Sequence, residues 1–166
     1  MAESQDEHMK EADQVKVGII VTTDTQTAET DRSGLLLESV LGKSGYKVLG
    51  KQLCRNDTGV IESMVNRLAT EADVIILTGG TGISKKDHTV DALLPMFEKD
   101  LPGFGERMRV LGLEQVGERA LLSRSCGGVV SQTLVFCIPG SMSAAETALK
   151  ILVPMLKHAV YELKFK

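Results

Sequence analysis

The stretch "LTGGTGISKKDHT", residues 77–89, holds the residues of this chain best suited to chemistry. Glycines directly after an aliphatic run let a backbone turn tightly and bring N–H groups close to an anion. Thr78, Gly79, Gly80, Thr81 and Gly82 form that turn, and Lys85, Lys86, Asp87, His88 and Thr89 follow it. The spacing matches neither common nucleotide fingerprint. Lys85 comes five positions after Gly80 without the glycine that a P-loop places before its lysine. It also occupies the third glycine position of a dinucleotide-binding turn. The loop is therefore a general anion cradle or a bare tight turn. Asp87 has two readings: a helix cap, a role Thr89 could equally fill, or a magnesium ligand beside phosphates. His88 has no second metal-type partner in the sequence, and a lone histidine is weak support for acid–base catalysis.

Other segments repeat the pattern of polar residues after an apolar run. Asp24 lies in "VTTDT" and Asp31 and Ser33 in "TDRSG", where Asp31 could cap a helix or face a ligand. Gly140, Ser141 and Ser143 in "PGSMS" stand at a helix start, a ready anion site. Glu106 sits in "LPGFGERMR", and Ser123 and Arg124 in "LLSRS".

The elements that must position these groups follow from hydrophobic patterning. "VKVGIIV" (15–21), "DVIILT" (73–78) and "LVFCIPG" (134–140) are short, continuous and rich in β-branched residues, as in strands covered on both faces. "YKVLGKQL" (46–53) is expected to be a fourth strand. Helices are expected over 33–45, with Leu36, Leu37, Val40 and Leu41 on one face, and over 57–73, with Ile61, Met64, Val65 and Leu68. Another is expected over 90–97. A last helix over 143–164 opens with Ser143 and Glu146 spaced as a capping box, and Pro154 is expected to kink or divide it. The order implies an α/β fold, a three-layer α/β/α sandwich with a mostly parallel sheet and right-handed crossovers. Loops 22–32, 78–88 and 139–143 then gather beyond the carboxyl ends of the strands, where such sheets bind ligands.

The chain has 166 residues, enough for one hydrophobic core, with 43% hydrophobic and 25% charged residues. We expect a tail over 1–14, polar and mostly acidic, and a single domain over 15–166. A net charge of −3 and the lack of tryptophan argue against nucleic-acid binding, and no apolar run is long enough to span a membrane. Cys54, Cys126 and Cys137 form no CxxC pair, which suits buried thiols in a cytoplasmic protein.

Taken as a set, "LTGGTGISKKDHTVDALLPMFEKDLPGFGERMR", "LLSR" and "FCIPGS" resemble the MogA/MoaB family of molybdenum-cofactor biosynthesis proteins, over about residues 15 to 160. The fold of that family also occurs as the G domain of gephyrin and of its plant counterpart. The resemblance implies molybdopterin adenylyltransfer: Mg²⁺-ATP delivers AMP to the terminal phosphate of molybdopterin, and pyrophosphate leaves. It implies Asp87, Asp31 and Glu106 as catalytic residues, Asp87 as the magnesium-associated carboxylate, and Glu106 close to Asp87. Thr78 to Gly82, Asp24, Ser33, Ser123, Gly140 and Ser141 would bind nucleotide, pterin or phosphate. A homotrimer and pathway partners such as the metal-insertion protein are implied as well. "PGSMSAAET" looks more like MoaB than MogA proteins, "VTTDT" replaces a more usual Val-Ser-Asp, and His88 stands where a small apolar residue is frequent. The alternatives are a non-catalytic molybdopterin-binding or carrier protein, a CinA-type pyrophosphatase, and a scaffold whose trimer surface binds a partner.

Overall fold

A computed structural model describes residues 14–166. The expected tail over 1–14 therefore lies, apart from Gln14, outside the described residues. Six strands, β1 (Lys16–Thr22), β2 (Lys47–Cys54), β3 (Val74–Thr78), β4 (Lys99–Asp100), β5 (Cys126–Val130) and β6 (Thr133–Ile138), form one sheet in the order β2-β1-β3-β6-β5-β4. β2, β1, β3 and β6 run parallel, whereas β5 is antiparallel to both β6 and β4. Every residue of β3 and β6 is buried, which explains why these strands read as unbroken aliphatic runs.

Among the described residues five α-helices cover the two faces: α1 (Arg32–Lys43), α2 (Thr58–Leu68), α3 (Thr89–Leu93), α4 (Pro102–Val116) and α5 (Met142–Phe165). Leu37 and Leu41 of α1 pack with Phe104 and Met108 of α4 and Leu152 and Leu156 of α5 on one face. Ile61 and Val65 of α2 pack with Val90 and Leu93 of α3 on the other. Each large aliphatic side chain removed from water in these two cores contributes about 1.5–3 kcal/mol. The three-layer α/β sandwich is thus the one the hydrophobic pattern implies. No helix among the described residues is long and apolar enough to cross a membrane.

Several local expectations need correction. Helix α2 ends at Leu68, not 73, and the segment expected to be helical over 90–97 is five residues of α-helix from Thr89 followed by a 3-10 turn over Leu94–Met96. Neither Thr89 nor Asp87 caps it. His88 occupies the cap position without a side-chain bond, Thr89 Oγ1 donates to the Gly79 carbonyl (2.7 Å), and the Asp87 carboxylate accepts from Ser84 N (2.9 Å). Helix α5 is capped by Ser141, whose hydroxyl accepts from Ala144 N (3.2 Å), so Ser143 and Glu146 lie inside the helix instead of forming a capping box. Pro154 does not divide α5, which runs unbroken for 24 residues.

Strand β5 is not visible in the hydrophobic pattern, because two of its five residues are glycines that packing demands. A Cβ on Gly127 would lie 2.7 Å from the Phe136 ring, and one on Gly128 would lie 2.4 Å from the Phe97 ring. The β5–β6 hairpin closes through Ser131 and Gln132, both with positive φ (46° and 62°), as a two-residue type I′ connection needs.

Candidate active site

The loops after β1, β2, β3 and β6 meet at one end of the sheet. Gly79 takes φ 101°, and a Cβ there would stand 2.3 Å from the Thr22 carbonyl, so the chain can leave β3 this close to β1 only as glycine. Gly79 N donates to the Ile138 carbonyl (2.9 Å). On the other side of the turn, Asn56 N donates to Asp24 Oδ1 and Asn56 Oδ1 accepts from His88 N, each at 3.0 Å. Asn56 thus ties the loops following β1, β2 and β3 together. The sequence offered only a weak signal for it, an asparagine next to the Asp57 cap of α2.

The turn itself is left open. Among the described residues, no protein acceptor takes the N–H of Gly80, Thr81 or Gly82, although Thr81 is buried. Buried backbone donors are nearly always partnered, so consecutive open amides mark a place where an anion can sit.

Arg124 holds the far side of this loop. Its backbone N donates to the Thr81 carbonyl (3.0 Å). Its guanidinium donates to the carbonyls of Gly82 (3.0 Å) and Asp87 (3.2 Å), and to both Asp91 carboxylate oxygens (2.7 and 3.1 Å). That bond to Arg124 is the main reason the Asp91 carboxyl lies below the usual carboxylate range, and Asp91 in turn raises Arg124. Ile83, Ser84, Lys85, Asp87, His88, Asp91 and Arg124 line an open depression here.

A second, narrower cleft lies across the segment 123–125. Ser123, Ser125, Ser141, Ser143 and Thr147 give it hydroxyl groups, Gln115 and Arg119 add longer polar side chains, and Met108, Val116, Ala120 and Ala144 give it an apolar wall. Ser123 and Ser125 share a hydrogen bond (2.9 Å), and so do Ser141 and Ser143 (3.2 Å). The start of α5 borders this cleft through Ser141, Ser143 and Ala144, and a helix start carries partial positive charge. Arg124 borders one depression while its neighbours Ser123 and Ser125 border the other.

The expected site residues therefore separate. Asp87 lines the first depression and Ser123 and Ser141 line the second; the Gly79 to Gly82 turn lines neither but is bonded to Arg124 of the first through the carbonyls of Thr81 and Gly82, and Asp24 joins the turn through Asn56. Gly140 supports the turn from below, since a Cβ on it would sit 3.4 Å from Gly79 Cα. Thr78 and Ser33 are buried and hydrogen-bonded to each other (3.3 Å). Asp31 is fully buried, caps α1 through Gly34 N (3.0 Å) and pairs with Lys51 (3.0 Å). Glu106 is exposed on α4 and lines neither depression. Arg124 emerges with a far larger part than its place in "LLSRS" suggested.

No cluster of three His, Cys, Asp or Glu side chains suited to a metal occurs among the described residues. Asp91 is taken by Arg124, whereas the Asp87 carboxylate stands beside the open amides, 2.7 Å from where a Cβ on Gly82 would lie. This donor set fits a Mg²⁺ ion that takes its other ligands from water and substrate phosphates, and does not fit an all-protein cage.

The open-amide turn and the hydroxyl-lined cleft of this α/β sandwich thus lie beyond the carboxyl ends of the parallel strands, where such sheets bind ligands. The family described as "Probable molybdopterin binding domain" matches residues 18–158. The chain is 38% identical to molybdenum cofactor biosynthesis protein B of Bacillus subtilis (strain 168), over 97% of this chain and 98% of that protein. It superposes on a crystal structure of a molybdenum cofactor biosynthesis protein B with a TM-score of 0.87 at 37% identity, covering 92% of this chain and 98% of that one. The tungsten cofactor synthesizing protein MoaB from Pyrococcus furiosus gives a TM-score of 0.81 at 29% identity, covering 91% and 98%. The chain belongs to the MogA/MoaB family of molybdenum-cofactor biosynthesis proteins.

Proposed function

We propose that the protein transfers AMP from Mg²⁺-ATP to the terminal phosphate of molybdopterin, releasing pyrophosphate, and that it does so in the cytoplasm as a homotrimer. The observation that carries this reading is the open run of amides at Gly80, Thr81 and Gly82 beside the Asp87 carboxylate, with a separate polar cleft across Arg124. Two polyanions must be brought together, and two neighbouring anion sites on one sheet edge suit that task. Molybdopterin fits the cleft of Ser123, Ser125, Ser141 and Ser143, where hydroxyls and the start of α5 would hold its phosphate and the apolar wall would take its ring. The triphosphate fits the turn, whose amides would hold oxygens on the transferred group.

Asp87 would hold the magnesium ion, which when bound neutralises phosphate charge. Lys85, in the same depression, would offset more of it. The chain needs no nucleophilic side chain, because the attacking oxygen belongs to the second substrate. Its contribution is to align and to stabilise charge. Incubation of the purified protein with molybdopterin, ATP and Mg²⁺ should give adenylylated molybdopterin and pyrophosphate in equal amounts. Tight molybdopterin binding with no AMP transfer at saturating ATP would instead identify a carrier, the second reading, which the MoaB-like "PGSMSAAET" segment favours.

A further inference from the structure

We propose that Cys126 and Cys137 form a redox-active pair that closes into a reversible disulfide across the β5–β6 hairpin. The two cysteines are direct partners in the antiparallel register. Their pairing type follows from the neighbouring strand. The carbonyls of Gly127 and Val129 accept bonds from Leu101 N (2.8 Å) and Glu98 N (2.9 Å) on the β4 side. Residues 126, 128 and 130 therefore turn their backbone groups toward β6, and Cys126 and Cys137 exchange hydrogen bonds directly. Such partners have Cα atoms about 5.5 Å apart, inside the range that a disulfide spans. Both side chains point to the same face of the sheet, against the α2–α3 core.

The two thiols have different surroundings. Cys137 is fully buried, whereas Cys126 is partly exposed. The neighbouring Cys137 thiol and the Arg124 cation lower the Cys126 thiol, against the opposing effect of burial. Burial, and then the contact with Cys126, push Cys137 well up. Cys126 is accordingly the attacking thiolate and Cys137 the resolving thiol. With a hydroperoxide as oxidant, Cys126 sulfur attacks one peroxide oxygen and the O–O bond breaks. This gives a sulfenic acid and, for hydrogen peroxide, one water. Cys137 sulfur then attacks the sulfenyl sulfur, the S–O bond breaks and a second water leaves. Two thiols lose two electrons, and the peroxide gains them.

Hydrogen-bonded cross-strand partners hold their Cβ atoms toward the wide end of about 4.5–5.5 Å, beyond the ~3.5–4.5 Å of a disulfide, so the two strands must draw together locally to close the bond, which forms under strain and is readily reduced. It would tie the segment that carries Ser123 and Ser125 to the strand leading into Pro139 and Ser141, four of the residues that line the polar cleft. The pair makes no demand on the adenylyl-transfer reading.

The test treats the native full-length protein with hydrogen peroxide, alkylates it after denaturation, and maps it with chymotrypsin. That protease cuts after Leu134 and Phe136, between the two cysteines. The expected result is loss of two hydrogens in the intact mass, a peptide cross-link joining Cys126 to Cys137, reversal by a mild dithiol, and unchanged behaviour in C54S. C126S should form no intramolecular disulfide, and C137A should stop at the Cys126 sulfenic acid, trapped by a dimedone-type reagent. Cys126 accumulating as sulfinic acid while Cys137 remains alkylable would overturn the proposal, as would a cross-link to Cys54 or no reaction at either thiol.

Discussion

Arg124 grips Asp91 through both carboxylate oxygens, at 2.7 and 3.1 Å, while the same guanidinium reaches the carbonyls of Gly82 and Asp87. One planar fork thus joins the glycine turn, the segment after it and helix α3. Lysine offers a point charge and cannot serve these acceptors at once. The pair is partly exposed (34% and 51%), so its direct contribution to stability is within about 1 kcal/mol. Arg124→Lys should therefore shift the urea midpoint little, yet lower AMP transfer by about 100-fold through a misplaced Asp87 loop. Faster hydrogen exchange at residues 82–88 should accompany the loss. Unchanged kinetics would show that the loop holds its shape without the fork.

The same pair sets a pH dependence. The folded Asp91 carboxyl is lowered below its unfolded value, so its stabilisation is complete above the unfolded carboxylate pKa and is lost as pH falls through the folded value. Arg124→Gln should lower stability slightly at neutral pH, where the Asp91 contribution is complete, and flatten this acid limb so that the two proteins converge as pH falls through the folded Asp91 value. Urea midpoints measured from neutral to acid pH for both proteins check the sign.

Asp87→Asn keeps an oxygen for the Ser84 amide but removes the negative charge. If Asp87 holds the magnesium ion, AMP transfer should fall by 100-fold or more at saturating ATP, with molybdopterin binding and thermal midpoint preserved. A variant that retains full activity would remove Asp87 from the metal site.

How far these groups could be read from the sequence depends on what each residue signals. The four parallel strands and the buried face of α1 were legible, because apolar runs and a Leu37–Leu41 spacing report burial directly. β5 was not, since Gly127 and Gly128 yield their side-chain space to Phe136 and Phe97, and a yielded volume leaves no hydrophobic trace. The glycine turn was legible because the close approach of Gly79 to the Thr22 carbonyl demands glycine, whereas Asp87 could be read as a cap or as a ligand-facing carboxylate and does not cap the helix. Asp31 could be read two ways, and its burial beside Lys51 depends on a partner 20 residues away. Arg124 carries four acceptors that only the fold brings within reach.

Asp31 and Lys51 make a buried ion pair, with side-chain exposures of 0% and 7%. Lys51 also donates to the Ala28 carbonyl (3.0 Å), and Ser33 Oγ donates to Asp31 Oδ1 (3.2 Å). Lys51→Met would leave an uncompensated carboxylate in the interior, at a cost of about 3–5 kcal/mol. Lys51→Met combined with Asp31→Asn should recover much of that loss, because the amide oxygen can still cap Gly34 N. A double-mutant cycle in urea measures the difference, and equal losses in the single and double variants would rule out charge as the cause.

Ser131 and Gln132 hold left-handed backbone angles without being glycine. A side chain in that region costs about 1–2 kcal/mol, partly offset by the extra freedom glycine has in the unfolded chain. Neither residue belongs to the strand-end depressions: both line a shallow surface with Lys16 and Asp73 at the opposite end of the sheet. Gln132→Gly should therefore raise the urea midpoint by the equivalent of about 0.5–1 kcal/mol, with AMP transfer unchanged. Gly79→Ala is the converse at the other end of the sheet. Its φ of 101° and the Thr22 carbonyl 2.3 Å from the added carbon leave it no accommodating position. It should destabilise the fold and disrupt the turn together. Opposite signs in the two variants would separate backbone strain that the hairpin merely tolerates from strain that the site requires.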